Sequence, residues 1–272
     1  MMRDVDSRPV AWREAGRGEV VVFLHGLGGS RTAWDPQLAV LADRWRCVAW
    51  DQPGYGASPP PDGPFTFAAL ADAAVRLLDA LDVERAPLVG LSFGGMVALH
   101  AALDHPDRVA GLALLDTSPA FGGDGTDPDA WRAARLAPLD AGETPADMAA
   151  AVLTSVGGRA LTGAALDTAV AAMARIPSDG LRAAIGCLPD HDVRQRLADI
   201  TVPTLVLVGE LDEETPPAYS RALADGIPGA GLEIVADAGH LSNLEQPEAV
   251  NRLLSRFLPT TFLSPTTRSR TR

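Results

Sequence analysis

The stretch Leu88–Met96, Leu-Val-Gly-Leu-Ser-Phe-Gly-Gly-Met, constrains this chain more than any other. An apolar run over Pro87–Leu91 predicts a buried strand. Helical spacing takes over at Phe93 and carries Met96, Val97, Leu99 and Ala102. One hydroxyl, Ser92, sits at the switch, with Gly90 and Gly94 to either side. A serine on so sharp a strand-to-helix turn has strained backbone angles, and side chains at the flanking positions would collide. The turn projects the hydroxyl away from the sheet. It also sets the next backbone N–H at a helix N-terminus, where negative charge is favoured. This is the Gly-x-Ser-x-Gly pattern of a nucleophile elbow. Two readings compete with it. One is a glycine-rich turn that only lets a helix pack on a strand. The other is a phosphate-cradling loop, which needs a lysine after the glycines. The chain contains no lysine, which also excludes Schiff-base chemistry.

The remaining composition narrows the setting. A chain of 272 residues with 47% hydrophobic content suits one large α/β domain, or a core with a modest insertion. A net charge of −12 argues against nucleic acid and an anionic membrane surface as partners. No apolar run reaches the length of a membrane span, and the N-terminus lacks the apolar core of a signal peptide. Cys47 and Cys187 lie far apart, with neither metal spacing nor a disulfide framework. A cytoplasmic enzyme without cofactor or metal fits these features. Assembly into a homo-oligomer is left open.

Strand–helix alternation runs along most of the chain. Residues 5–14 suggest a first strand or hairpin. Val20–Leu24 and Arg46–Trp50 are apolar runs, the first ending in His25-Gly26-Leu27-Gly28-Gly29 and the second in Asp51. Phe67–Leu81 has helical spacing, with Thr66 able to cap it. After the elbow comes an apolar strand at Val109–Leu115, ending at Asp116. Thr204–Val208 and Leu232–Val235 continue the strands, and Pro217–Ala224 and Pro247–Leu258 the helices. Buried apolar strands alternating with helices predict a doubly wound, mostly parallel sheet. Ligands in such sheets bind beyond the carboxyl ends of the strands, where His25, Asp51, Ser92 and Asp116 all fall. Residues 119–198 break the alternation with alanine-rich helical pieces punctuated by Gly and Pro. They are read as a helical insertion after the sixth strand. The core then comprises 1–118 and 199–260, and 261–272 is a polar, disordered tail.

Serine needs an adjacent base, and histidine has the pKa for that role. An acid must orient the imidazole and stabilise its charged form. Among five histidines, only His240 lies in a short loop after a late strand, with Gly239 giving the loop room to reach the serine. His100, His105 and His191 fall within or beside helices, and His25 precedes the serine. Asp212 follows the Thr204–Val208 strand and is the favoured acid, with Asp116 the rival. The reaction also needs donors for a developing oxyanion. The backbone N–H of Phe93 is one candidate. The glycine-flanked Leu27 supplies the other, with His25 bracing its loop.

These segments, from about residue 5 to 260, resemble the α/β-hydrolase superfamily. The carrying motifs are Phe-Leu-His-Gly-Leu-Gly at 23–28, Asp-Gln-Pro-Gly-Tyr-Gly-Ala-Ser at 51–58, Gly-Leu-Ser-Phe-Gly-Gly-Met at 90–96, Leu-Val-Gly-Glu-Leu-Asp at 207–212 and Ala-Gly-His at 238–240. The resemblance implies an α/β-hydrolase fold with a helical cap over the site. It also implies a Ser92–Asp212–His240 triad with Leu27 and Phe93 as oxyanion donors. The last third is similar to the 3-oxoadipate enol-lactonase and carboxylesterase branch. Enol-lactonases tend to carry a cap Trp with an Arg three residues later, whereas here Trp131 is followed by Arg135, with Arg132 adjacent. Haloalkane dehalogenases and epoxide hydrolases place an aspartate at the elbow, and Ser92 argues against both.

The expected activity is hydrolysis of a small to medium, partly apolar ester or lactone through an acyl-enzyme on Ser92. Trp131 and Leu241 are candidate substrate contacts. Leu136, Met148, Val152, Leu153, Leu161, Met173 and Ile176 are candidate lining residues. The alternatives are a carbon–carbon bond hydrolase or a perhydrolase using the same triad, and a small-molecule receptor on this fold.

Overall fold

The computed structural model describes residues 1–7, 9–157 and 161–262. Among them, eight strands form one sheet in the order β1-β2-β4-β3-β5-β6-β7-β8. β1 (Arg3–Val5) and β2 (Trp12–Ala15) make an antiparallel hairpin at one edge, and β2 runs antiparallel to β4 (Arg46–Trp50). Every other pairing is parallel, through β3 (Val20–Leu24), β5 (Ala86–Leu91), β6 (Val109–Leu115), β7 (Thr204–Gly209) and β8 (Gly231–Val235).

The inner strands are unbroken apolar runs because both faces of the sheet are covered. In β3, Val20, Val22 and Leu24 enter one core while Val21 and Phe23 enter the other. The first core takes the apolar sides of α2 (Phe67–Ala80), α3 (Phe93–Asp104) and α8 (Pro217–Gly226). The second takes those of α1 (Asp35–Leu41) and α10 (Pro247–Phe257). α2 starts where Thr66 accepts a hydrogen bond from the Ala69 N–H at 3.2 Å. α3 is buried on nearly every side, which accounts for its lack of a polar stripe.

Among the described residues, four α-helices are inserted between β6 and β7: α4 (Pro128–Asp140), α5 (Pro145–Val156), α6 (Gly163–Met173) and α7 (Ser178–Cys187). Asp127 caps α4, and Thr144 with Asp147 forms a capping box on α5. The two ends of the insertion are zipped together. Val193 N–H donates to the Pro119 carbonyl at 2.9 Å, and Phe121 N–H to the His191 carbonyl at 2.8 Å. The chain therefore re-enters the core at Val193, ahead of the boundary expected at 198. The following 3-10 turn, Arg194–Asp199, packs Leu197 against Gly226 of α8 rather than against the cap. The chain also stays in the core longer than expected at its end. Thr261, assigned from sequence to the polar tail, is buried against Gly111 of β6. Phe262, also assigned to that tail, packs against the second core, and 263–272 lies outside the described residues. No helix among the described residues is long and apolar enough to cross a membrane.

Candidate active site

Ser92 sits between β5 and α3 with φ 51° and ψ −118°, a backbone state that side chains resist. The surroundings hold it there. Its N–H donates to the Leu115 carbonyl, and Thr117 Oγ1 donates to its carbonyl, each at 2.8 Å. The flanking glycines are needed for space. A Cβ on Gly90 would lie 2.4 Å from the Gly94 carbonyl oxygen, and one on Gly94 would lie 2.1 Å from that of Leu24.

His240 arrives on the loop after β8. Its Nε2 is 2.9 Å from Ser92 Oγ, and its Nδ1 is 3.0 Å from both carboxylate oxygens of Asp212. A carboxylate only accepts, so Nδ1 carries a proton, and when the ring is neutral Nε2 is free to accept from the serine. Asp212 takes further bonds from the Glu214 and Thr215 N–H groups at 2.9 Å and from the Thr215 hydroxyl at 2.7 Å. Burial opposes the charged forms of both groups. Their mutual attraction wins, lowering the Asp212 pKa and raising that of His240 to about 9, with further help from Asp116 and Glu214.

Asp116, the rival acid, takes a different part. It is fully buried and bonds to neither nitrogen of His240. It accepts from Gly209 N–H at 2.8 Å, Ser242 N–H at 3.1 Å and Ser242 Oγ at 2.6 Å. Asp116 thus ties the loop bearing Asp212 and the loop bearing His240 to the end of β6. Burial and the Asp212 charge push its pKa up to about 7. His25 is also buried; its Nδ1 donates to the Gly26 carbonyl at 2.8 Å and its Nε2 accepts from Gln52 N–H at 3.1 Å. Both nitrogens are occupied in holding the glycine loop.

That loop lies against the serine, with the Cβ position of Gly26 3.4 Å from Ser92 Cβ. Among the described residues, neither the Leu27 nor the Phe93 N–H has a protein acceptor. Phe93 N–H is the first of α3, where amides have no partner within the helix. The Phe93 ring turns away into the core, 5.1 Å from that of Phe67.

The model of the alpha/beta hydrolase family matches residues 21–253. The chain belongs to the alpha/beta hydrolase family. A relative in Variovorax paradoxus, named as a carbamate hydrolase, is 36% identical over 89% of this chain and 92% of its own. The enol-lactonase of Burkholderia xenovorans superposes with a TM-score of 0.84 at 27% identity, over 94% of this chain and 100% of that one. An N-acyl homoserine lactone degrading enzyme superposes at 0.78 with 31% identity, over 94% of this chain and 100% of that one.

In this hydrolase the space above Ser92 is a cavity of about 450 Å³, between the glycine loop and the cap. That volume suits a small to medium ligand. Trp131 and Leu241 both line it, as do Met148, Val152, Leu153 and Met173. Leu136, Leu161 and Ile176 do not; Leu161 and Ile176 are spent on packing within the hydrophobic core.

Three residues of the hydrolase site escaped the sequence reading. Thr215 fixes Asp212 from three positions on, a spacing typical of local Asp–Thr turns that carries its own signal. Glu245 accepts from the Gly239 and Leu241 N–H groups, clasping both neighbours of His240. Its only sign in sequence is an acid at the end of a short turn. The Asp116–Ser242 bond spans 126 positions, and nothing local announces it.

Proposed function

We propose that this hydrolase cleaves a carboxylic ester or lactone through an acyl-enzyme on Ser92. The observation that carries the reading is the 2.9 Å approach of His240 Nε2 to Ser92 Oγ, with the imidazole held from behind by Asp212. His240 Nε2 takes the hydroxyl proton as Oγ bonds to the carbonyl carbon. Asp212 keeps the imidazole in the productive tautomer and balances its charge. The Leu27 and Phe93 N–H groups receive the oxyanion. Collapse breaks the bond to the leaving oxygen, which collects the proton from Nε2. Water then gives its proton to the same nitrogen and attacks the acyl carbon. The carbon–Oγ bond breaks, and Ser92 recovers its proton.

Only neutral His240 can accept that proton. Its raised pKa of about 9 places the acid limb of kcat/KM on the alkaline side of neutrality, with activity falling as pH drops. The reading is tested by a fluorophosphonate probe together with a panel of aryl esters, lactones and vinylogous diketones. Covalent labelling and ester or lactone turnover, both lost in Ser92→Ala, support it. Turnover of the diketones alone would move the assignment to carbon–carbon hydrolysis. Absence of labelling, with tight reversible binding of a small molecule, would make the protein a receptor.

A further inference from the structure

The cavity is lined both by apolar side chains, Leu153, Met173 and Leu188 among them, and by charged ones from the cap and from the loop of Asp212. Among the described residues lining it, Arg135 is the one permanent cation, and three carboxylates, Asp124, Glu213 and Glu214, line the same cavity. Arg135 is already engaged. Its Nη2 is 3.6 Å from Glu214 Oε2, and its guanidinium carbon is 5.5 Å from the Trp131 ring centroid. Glu214 is exposed, but its backbone is anchored. Its N–H donates to Asp212 Oδ1 at 2.9 Å, so the turn that holds the triad acid also fixes where Glu214 stands.

We propose that Glu214 sets the charge preference of the pocket. By pairing with Arg135 in a cavity that two further carboxylates line, it makes the site favour an ester or lactone with an uncharged aliphatic acyl part over one bearing a carboxylate. The inference rests on the hydrolase reading above and names the substrate class for it. An incoming carboxylate would find Arg135 paired and three like charges lining the cavity; with the Arg135 and Glu214 side chains 43% and 38% exposed, solvent screens the repulsion and the discrimination is moderate. A neutral aliphatic chain meets no such opposition and gains the apolar wall.

The test compares para-nitrophenyl hexanoate with mono-para-nitrophenyl adipate, which differ by a carboxylate in place of the terminal methyl. Rates are corrected for the Ser92→Ala background, and the readout is the ratio of the two kcat/KM values at one pH. Any shift in the His240 titration affects both esters alike and cancels in that ratio. The wild-type enzyme is expected to prefer the hexanoate about fivefold at low salt. Glu214→Gln, which frees Arg135 and removes one negative charge, should shrink the preference about twofold. Equal or better turnover of the adipate by the wild type overturns the proposal, and so does an unchanged ratio in Glu214→Gln. Should that variant fail to fold, the wild-type ratio is followed from low to molar salt. It shrinks if charge repulsion sets it, and a flat response overturns the proposal. Absence of any Ser92-dependent turnover of either ester overturns the hydrolase reading itself, a distinguishable outcome.

Discussion

At the carboxyl edge of the sheet, charged and polar groups far apart in the chain are locked by buried hydrogen bonds; in the cap, they meet at the surface. Ser242 Oγ reaches Asp116 at 2.6 Å, and Gln37 Nε2 reaches the Asn243 carbonyl at 2.9 Å, both among buried residues. The cap instead pairs Arg132 with Asp190 at 2.7 Å, the acid 69% exposed, over a layer of aliphatic packing. Buried polar networks tolerate little, because a group left unpaired there bears its full desolvation cost. Exposed ion pairs over an aliphatic layer tolerate much. The division matches what each region has to do. On the proposed acyl-enzyme reading, the reacting atoms need placement within tenths of an ångström, whereas the cap wall facing them can vary.

The comparison is most exposed to Asp212→Asn. An amide cannot hold His240 in the tautomer with Nδ1 protonated as a carboxylate does, and it withdraws the charge that stabilises the imidazolium. Above the acid limb kcat should fall about ten-thousandfold with KM little changed. Steady-state kinetics on an aryl ester measure this. A loss below tenfold would mean that the buried network is not what positions the base.

The next largest effect lies at the seam between the two regions. His191 is buried at the neck of the cap, its Nε2 donating to the Ser118 carbonyl at 2.9 Å and its Nδ1 3.2 Å from His100 Nε2. Burial lowers its pKa to about 4 from an ordinary 6.5. A histidine depressed in the folded state contributes stability above its unfolded pKa, and that stability is lost as pH falls toward the folded value. Between about pH 6.5 and 4 the loss should approach about 3 kcal/mol. Urea midpoints across that window, compared with those of His191→Gln, isolate the contribution. Parallel curves for the two proteins would remove the neck from the list of acid-sensitive points.

How far the molecule can be read from its sequence divides along the same line. β3, β5, β6 and β7 were legible because strands covered on both faces must be apolar throughout. The elbow was legible because its strain requires glycine at fixed positions, and His240 because Gly239 and a preceding strand mark its loop. β1 and β2 are too short to show clear alternation, and β8, an edge strand with Ile234 46% exposed, carries a weaker pattern than the buried strands. The partners of Asp116 could not be read, since they are made by tertiary closure. In the cap, the pattern found helical pieces but not their ends, so Leu161 and Ile176, which flank α6 rather than lie on it, looked the same as Leu153 of α5 and Met173 of α6.

Asp116→Asn probes the network without emptying it. The amide oxygen can still accept from Gly209 N–H, but its NH2 meets the Ser242 N–H, a second donor. A loss of about tenfold in kcat is expected, on the scale of one compromised buried hydrogen bond. The pH profile separates this from a merely structural defect. The groups acting on the charge of His240 are Asp212, Asp116, Glu214 and Glu245. Asp116 has a pKa of about 7 and is therefore ionised over the limb near 9, where its charge favours the imidazolium. Removing that charge lowers the His240 pKa and moves the acid limb to lower pH. An unmoved limb would reduce Asp116 to a strut with no electrostatic hold on the base.

The smallest effects belong to the cap surface, and there the comparison can be sharpened within one region. Arg182 pairs with Asp140 between α7 and α4, but their side chains are 38% and 64% exposed, so solvent screens the attraction. Arg182→Ala should cost less than about 1 kcal/mol in thermal or urea unfolding. Arg132 spans the same two helices differently. Besides its contact with Asp190, its Nε donates to the Gly186 carbonyl at 3.1 Å, and its side chain is 28% exposed. Arg132→Ala should therefore cost more than Arg182→Ala, because it unmakes a charge-assisted bond to backbone as well as an ion pair. The order of the two values matters more than their size. If Arg182→Ala were the costlier change, exposed charge pairing would be holding the cap together, and the cap could no longer be regarded as the tolerant half of the molecule.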